Sequence, residues 1–167
     1  LIWEKARDFL QKAFTIIFLA SLVVWVLQSF DFGFNPVSDS GQSMLASIGR
    51  TLAPVFIPLG FSDWRAATAL VTGLSAKEAV VSTLSVLLGA GEGAELTLLL
   101  QQLFSPLQAV SFLVFTLLYM PCVAAMAAIK RELGGWRAAL SLMAQQTGIA
   151  WVAALLVYQF GRVLGLG

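Results

Sequence analysis

The sequence predicts an all-α, polytopic membrane protein of about five spans, some of them broken or re-entrant at proline and glycine. Three observations carry that expectation. Of the 167 residues, 59% are hydrophobic and only 11% charged, whereas soluble domains are about half apolar and about a quarter charged. Residues 13–30, 96–129 and 138–161 contain no Asp, Glu, Lys or Arg. A helix crosses a hydrocarbon core roughly 30 Å thick with about 20 mostly apolar residues, and these runs have that length. Mean hydropathy is correspondingly high, at +0.86.

The elements follow in order. Residues 1–12 read as an amphipathic, interfacial helix start, with Lys5, Arg7 and Lys12 just before a first span over about 13–30. The next loop holds Asp31, Asn35, Pro36, Asp39 and Gly41 but no cation, so the positive-inside rule puts the N-terminus in the cytoplasm and this loop outside. Residues 44–61 are apolar but interrupted by Arg50, Pro54 and Pro58. Proline removes a helix hydrogen bond, and broken backbone at membrane depth must be buried in protein or line a wet cavity. This segment is a broken crossing or a re-entrant hairpin; counting it as a crossing fits the charges better.

Ser62 or Asp63 caps a helix predicted over about 66–88. A Gly-rich turn with Glu92 and Glu95 leads into a short apolar helix ending before Pro106. A span over about 107–129 is interrupted at Pro121, and the last covers about 138–160. Between them Lys130, Arg131 and Arg137 mark a cytoplasmic loop, and Trp3, Trp64 and Trp136 fit interface anchors. We expect 1–167 to be a single transmembrane domain. Its start at Leu1, without Met, is read as that of a piece of a larger protein.

Composition removes several function classes. A net charge of +1 offers no field for nucleic acid. One cysteine cannot form an internal disulfide, and the lack of histidine removes the commonest transition-metal ligand and general base. The sequence has no P-loop, HExxH or GxSxG motif. Nothing suggests catalysis, and the chain is expected not to be an enzyme.

Two constellations could carry chemistry. Lys77 and Glu78 fall about midway along the helix predicted over 66–88, where a charge costs roughly 2.5–3.5 kcal/mol even on lenient scales. At 100° per residue Thr68, Thr72, Ser75, Glu78, Ser82 and Ser85 share one broad face, while Lys77 points away. The functional reading is a polar stripe lining a solute path, with Glu78 as its acidic ligand. Lys77 is then anchored to backbone carbonyls or to a carboxylate on another helix. Against it stands a buried ionic latch that only locks helices together. Intramembrane ionisable residues favour the first.

The second constellation is Tyr119, Met120, Pro121 and Cys122. Pro121 deprives the Leu117 carbonyl of its helix donor, leaving a sulfur pair beside an open carbonyl. Such donors suit copper, zinc or iron rather than magnesium or calcium. Taken alone, a lone cysteine is more often a small hydrophobe.

Together these segments resemble a known family. Pro54-x-x-x-Pro58-Leu-Gly-Phe-x-Asp-Trp-Arg65, Gly73-x-x-Ala-Lys-Glu-x-Val-Val81-x-Thr83 and Leu118-Tyr-x-Pro-Cys-Val-Ala124, followed by Lys130-Arg-Glu132, resemble the C-terminal membrane part of the FeoB ferrous iron transport proteins. More narrowly they resemble the second of its two Gate segments. The resemblance implies a multi-pass permease for Fe(II) in the bacterial inner membrane. It implies no stably bound cofactor, with Fe(II) as transported substrate. It places a family cysteine proposed as an ion ligand at Cys122 and the Lys-Glu motif at Lys77 and Glu78. Ser75, Ser82, Pro121, Tyr119 and Met120 would belong to the path or its gating.

The implied partners are the bilayer, an N-terminal GTP-binding G domain and a first Gate half. Neither of the last two lies in this sequence, and assembly with further copies is left open. The alternatives weighed are a gate segment of a nucleoside or other organic-solute carrier, and a non-transporting packing scaffold.

Overall fold

A computed structural model describes residues 2–37, 39–90 and 93–165, with the side chains at 2, 4–6, 8–10, 12 and 13 outside that description. The cations expected at Lys5 and Lys12 and the turn carboxylate Glu92 therefore lie outside the described side chains. Among the described residues eight α-helices follow one another: α1 (Ile2–Ser29), α2 (Met44–Leu52), α3 (Trp64–Thr72), α4 (Ala79–Leu88), α5 (Ala94–Leu103), α6 (Pro106–Leu118), α7 (Val123–Glu132) and α8 (Trp136–Val163). A 3-10 segment, Ala53–Leu59, continues α2. Among the described residues extended pairing is confined to an isolated bridge between Phe30 and Pro36. The all-α expectation holds.

Local chemistry sets many of the boundaries. Ser43 caps α2 and Asp63 caps α3, each accepting a backbone N–H of the first turn. Ser105 and Gln108 form a reciprocal capping box at the start of α6, with Pro106 at its first position, where the missing N–H costs nothing. Gly60 closes the 3-10 segment at φ 91°, a left-handed conformation open to glycine.

α6 packs chiefly against α8, and α2 against α3. Phe56, Phe61, Phe104, Phe112, Phe115 and Tyr119 form the aromatic core, with neighbouring ring centroids 5.2–6.2 Å apart. Such pairs add roughly 0.5–1.5 kcal/mol each beyond their buried area. Gly161 lets α8 approach α6, since a Cβ there would meet Leu107.

The proline-broken stretch is satisfied by side chains from α6 and α8. In a 3-10 helix the Val55 carbonyl takes the N–H three residues on, which Pro58 lacks; Trp151 Nε1 donates to it at 3.1 Å. Gln159 Nε2 donates to the Pro58 carbonyl at 3.2 Å. Ser111, fully buried, lies 2.8 Å from the Leu59 carbonyl and 3.1 Å from that of Ala154. Met44–Leu59 and Trp64–Thr72 meet at 107°, with the Arg50 and Arg65 guanidinium groups 4.9 and 5.5 Å from the Trp64 ring centroid.

One expectation is corrected. The predicted helix over 66–88 is two helices, α3 and α4, separated by residues 73–78. The stripe of Thr68, Thr72, Ser75, Glu78, Ser82 and Ser85 therefore does not exist as one face, because the backbone turns in its middle. Among the described residues Pro106–Glu132 and Trp136–Val163 are long and apolar enough to cross, or three spans if the bent pair is one. Phe14–Ser29 and Ala79–Leu88 are shorter apolar helices.

Candidate functional site

The two breaks lie side by side. α3 ends where the Gly73 N–H closes on the carbonyls of Ala69 and Val71, and α6 ends at Leu118 before Pro121. Helix ends leave N–H and C=O groups without helical partners, and here each break supplies partners for the other. Pro121 cannot donate to the Leu117 carbonyl. The Val123 N–H, which a continuous helix would direct to the Tyr119 carbonyl, donates instead to the Leu74 carbonyl at 2.8 Å. Two of the carbonyls so opened in the second break receive Lys77 Nζ, at 3.2 Å to Leu117 and 3.3 Å to Tyr119. The ammonium also lies 5.0 Å from the centroid of the Tyr119 ring. Of the two anchors weighed for Lys77, backbone carbonyls are the one observed.

Magnitudes show how firmly this holds. Hydrogen bonds to a charged group contribute about 1.5–3 kcal/mol, and these two are at the long end of the range. The aromatic face adds about 1 kcal/mol. Against this stands the penalty of roughly 3 kcal/mol for a charge at membrane depth. The gain exceeds even a bilayer-centre penalty by a few kcal/mol, so Lys77 is held in place at the junction.

The walls of the junction are stiffer. Tyr119 is 3% exposed, and its hydroxyl donates to the Leu70 carbonyl at 3.4 Å. A Cβ on Gly73 would fall on that hydroxyl, so the close approach requires glycine. Thr72 donates to the Ala69 carbonyl at 2.8 Å, which makes Thr83 the donor in the buried 2.8 Å contact between the two hydroxyls. Ser75 closes its own turn on the Thr72 carbonyl at 2.6 Å.

The other expected site residues are distributed unevenly. Glu78 is exposed immediately before α4, where the helix dipole favours a carboxylate. Cys122 is a half-buried free thiol immediately before α7. Ser82 is exposed on α4, and Met120 packs against the aromatic core. Among the described residues no three His, Cys, Asp or Glu side chains cluster as a closed metal site. Sequence reasoning missed the Val123 amide, the Tyr119 carbonyl and Gly73. The local signal was Gly73 next to Thr72 and Ser75, too weak by itself to end a helix.

The architecture is that of a helical membrane protein with paired discontinuous helices. A family model named Gate and described as nucleoside recognition matches residues 10–136. The chain belongs to this Gate family. It is 41% identical over 169 residues to the Fe(2+) transporter FeoB of Methanocaldococcus jannaschii, covering 97% of this chain and 25% of that relative. It is 38% identical over 162 residues to the protein of the same name from Staphylococcus aureus strain N315, covering 96% and 24%. The corresponding protein of Campylobacter jejuni is 30% identical over 177 residues, covering 98% and 28%. The chain thus spans about a quarter of the length of the curated relatives it matches. No solved structure matches it.

Proposed function

We propose that this chain is the C-terminal gate segment of a ferrous iron permease, with the paired break at 73–78 and 119–122 as part of the ion path. The observation that carries the reading is the exchange of backbone partners between the two breaks, centred on Lys77. A path needs donors that hold an ion briefly and then release it. Open carbonyls with one thiol and one carboxylate meet that need better than a closed four-ligand site. Cys122 and Glu78 are the transient ligands in this reading. Ser75, Thr72 and Tyr119 hold the walls, and Pro121 keeps the Leu117 carbonyl open.

The names of the curated relatives favour iron over an organic solute. The parent protein would sit in the bacterial inner membrane, with a GTP-binding domain and a first Gate half supplied outside this segment. The test is Fe(II) uptake by the full-length parent carrying Cys122→Ser or Glu78→Gln. Uptake reduced in either variant, at unchanged membrane abundance, supports a ligand role. Normal uptake in both removes it.

A further inference from the structure

We propose that the carbonyls of Leu117 and Tyr119, with the Tyr119 ring above them, form a cation site that Lys77 fills as a tethered stand-in for the transported ion. The inference rests on the permease reading and adds a competitor to it. Three observations lead there. First, both carbonyls are open for identifiable reasons: Pro121 has no N–H to give Leu117, and the Val123 amide is committed to Leu74 at 2.8 Å. Second, the group that satisfies them is a cation, at 3.2 and 3.3 Å, with an aromatic face 5.0 Å away. Two oxygens and a π face are a donor set for positive charge generally, and they carry no preference for an amine.

Third, the attachment is reversible by design of its parts. Lysine is a compact charge on a flexible four-carbon stem, and Lys77 is only half-buried. The amide and hydroxyl contacts around it, Val123 to Leu74 and Thr83 to Thr72, use short fixed groups. Lys77 can therefore swing off while the walls stay in place. In its resting position it keeps the carbonyls satisfied and repels other cations. An arriving ion takes over the oxygens, and charge repulsion pushes the ammonium away. Lys77 is thus a specificity-determining residue, setting how strongly a cation must bind to open the site.

The test uses the full-length parent in calcein-loaded proteoliposomes, with quenching followed for Fe(II), Co(II) and Mn(II). Lys77→Met removes the resident charge, and quenching should become several-fold faster with all three metals and less selective among them. Lys77→Arg keeps the charge but grips two oxygens with a planar fork, so flux should fall several-fold below the parent. Lys77→Met flux equal to or below the parent's, from a monodisperse preparation, overturns the proposal. So does Lys77→Arg flux equal to the parent's, which keeps the test decisive if Lys77→Met does not fold. The iron reading fails separately: the parent then takes up no Fe(II), while the effect of Lys77 on Co(II) and Mn(II) entry remains readable.

Discussion

Two stretches of this chain lose helical hydrogen bonds at proline, and they are repaired in opposite ways. Around Pro54 and Pro58 the open carbonyls of Val55, Pro58 and Leu59 are met by Trp151, Gln159 and Ser111. Those donors are neutral and stand on long, packed helices. Around Pro121 the open carbonyls of Leu117 and Tyr119 are met by the ammonium of Lys77, carried on a second break. A neutral donor costs little to place, and the fully buried Ser111 hydroxyl makes a fixed repair. A half-buried ammonium on a flexible stem can leave its carbonyls, so its repair can be undone. The first break fixes the fold, and the second is available for function.

Four experiments sharpen or break that contrast. The largest effect is expected at Gly73. Gly73→Val drives a side chain into the Tyr119 hydroxyl, and overpacking of this kind costs roughly 1–3 kcal/mol or more. Thermal unfolding of the parent in detergent should show a clear loss, accompanied by loss of uptake. Second comes Ser111→Ala in the structural break. It strips the Leu59 carbonyl of its donor in a fully buried setting, at about 1–3 kcal/mol. Tm should fall, while the metal selectivity of the remaining flux stays that of the parent. A selectivity change here would erase the distinction between the two breaks.

Smaller effects follow. Thr72→Val and Thr83→Val remove the buried hydroxyl pair, and their double-mutant cycle should give a coupling of about 0.6–1.7 kcal/mol, the range for hydrogen bonds between membrane helices. Additivity of the two would show that the junction walls are not coupled.

The smallest effect lies outside the spans. The Asp31 carboxylate accepts the N–H groups of Asn35 and Gly33. These bonds, that of Asn35 first, hold its pKa below the ordinary 3.8. A lowered folded pKa means the turn is fully stabilised above that ordinary value and loosens as pH falls through the lowered one. Pepsin cleavage between 31 and 37 should rise over that acid range in the parent, and Asp31→Asn should remove the pH dependence.

Much of this was legible in the residues. Runs free of charge gave the apolar helices, and of the two caps expected, Ser62 or Asp63, it is Asp63 that starts α3. Pro121 announced an open Leu117 carbonyl, and a lone mid-membrane lysine announced that something must receive it. Other features were visible only as unexplained polarity. Ser111, Trp151 and Gln159 stand in charge-free runs with no local reason to be there, and the carbonyls that need them lie 52 to 101 residues away in sequence.

The sequence by itself determined that this is an all-helical membrane chain and that its backbone is interrupted at prolines, because apolar length and a missing N–H are local facts. Only the tertiary structure decided that α3 stops at Gly73. One glycine leaves a helix merely weakened, and beyond it the Leu74 carbonyl takes the Val123 N–H from the second break rather than a helical donor. It also decided that the two breaks meet. Hydrogen-bond partners 40 residues apart in sequence, such as Lys77 and Leu117, are chosen by packing, and no local pattern encodes that choice.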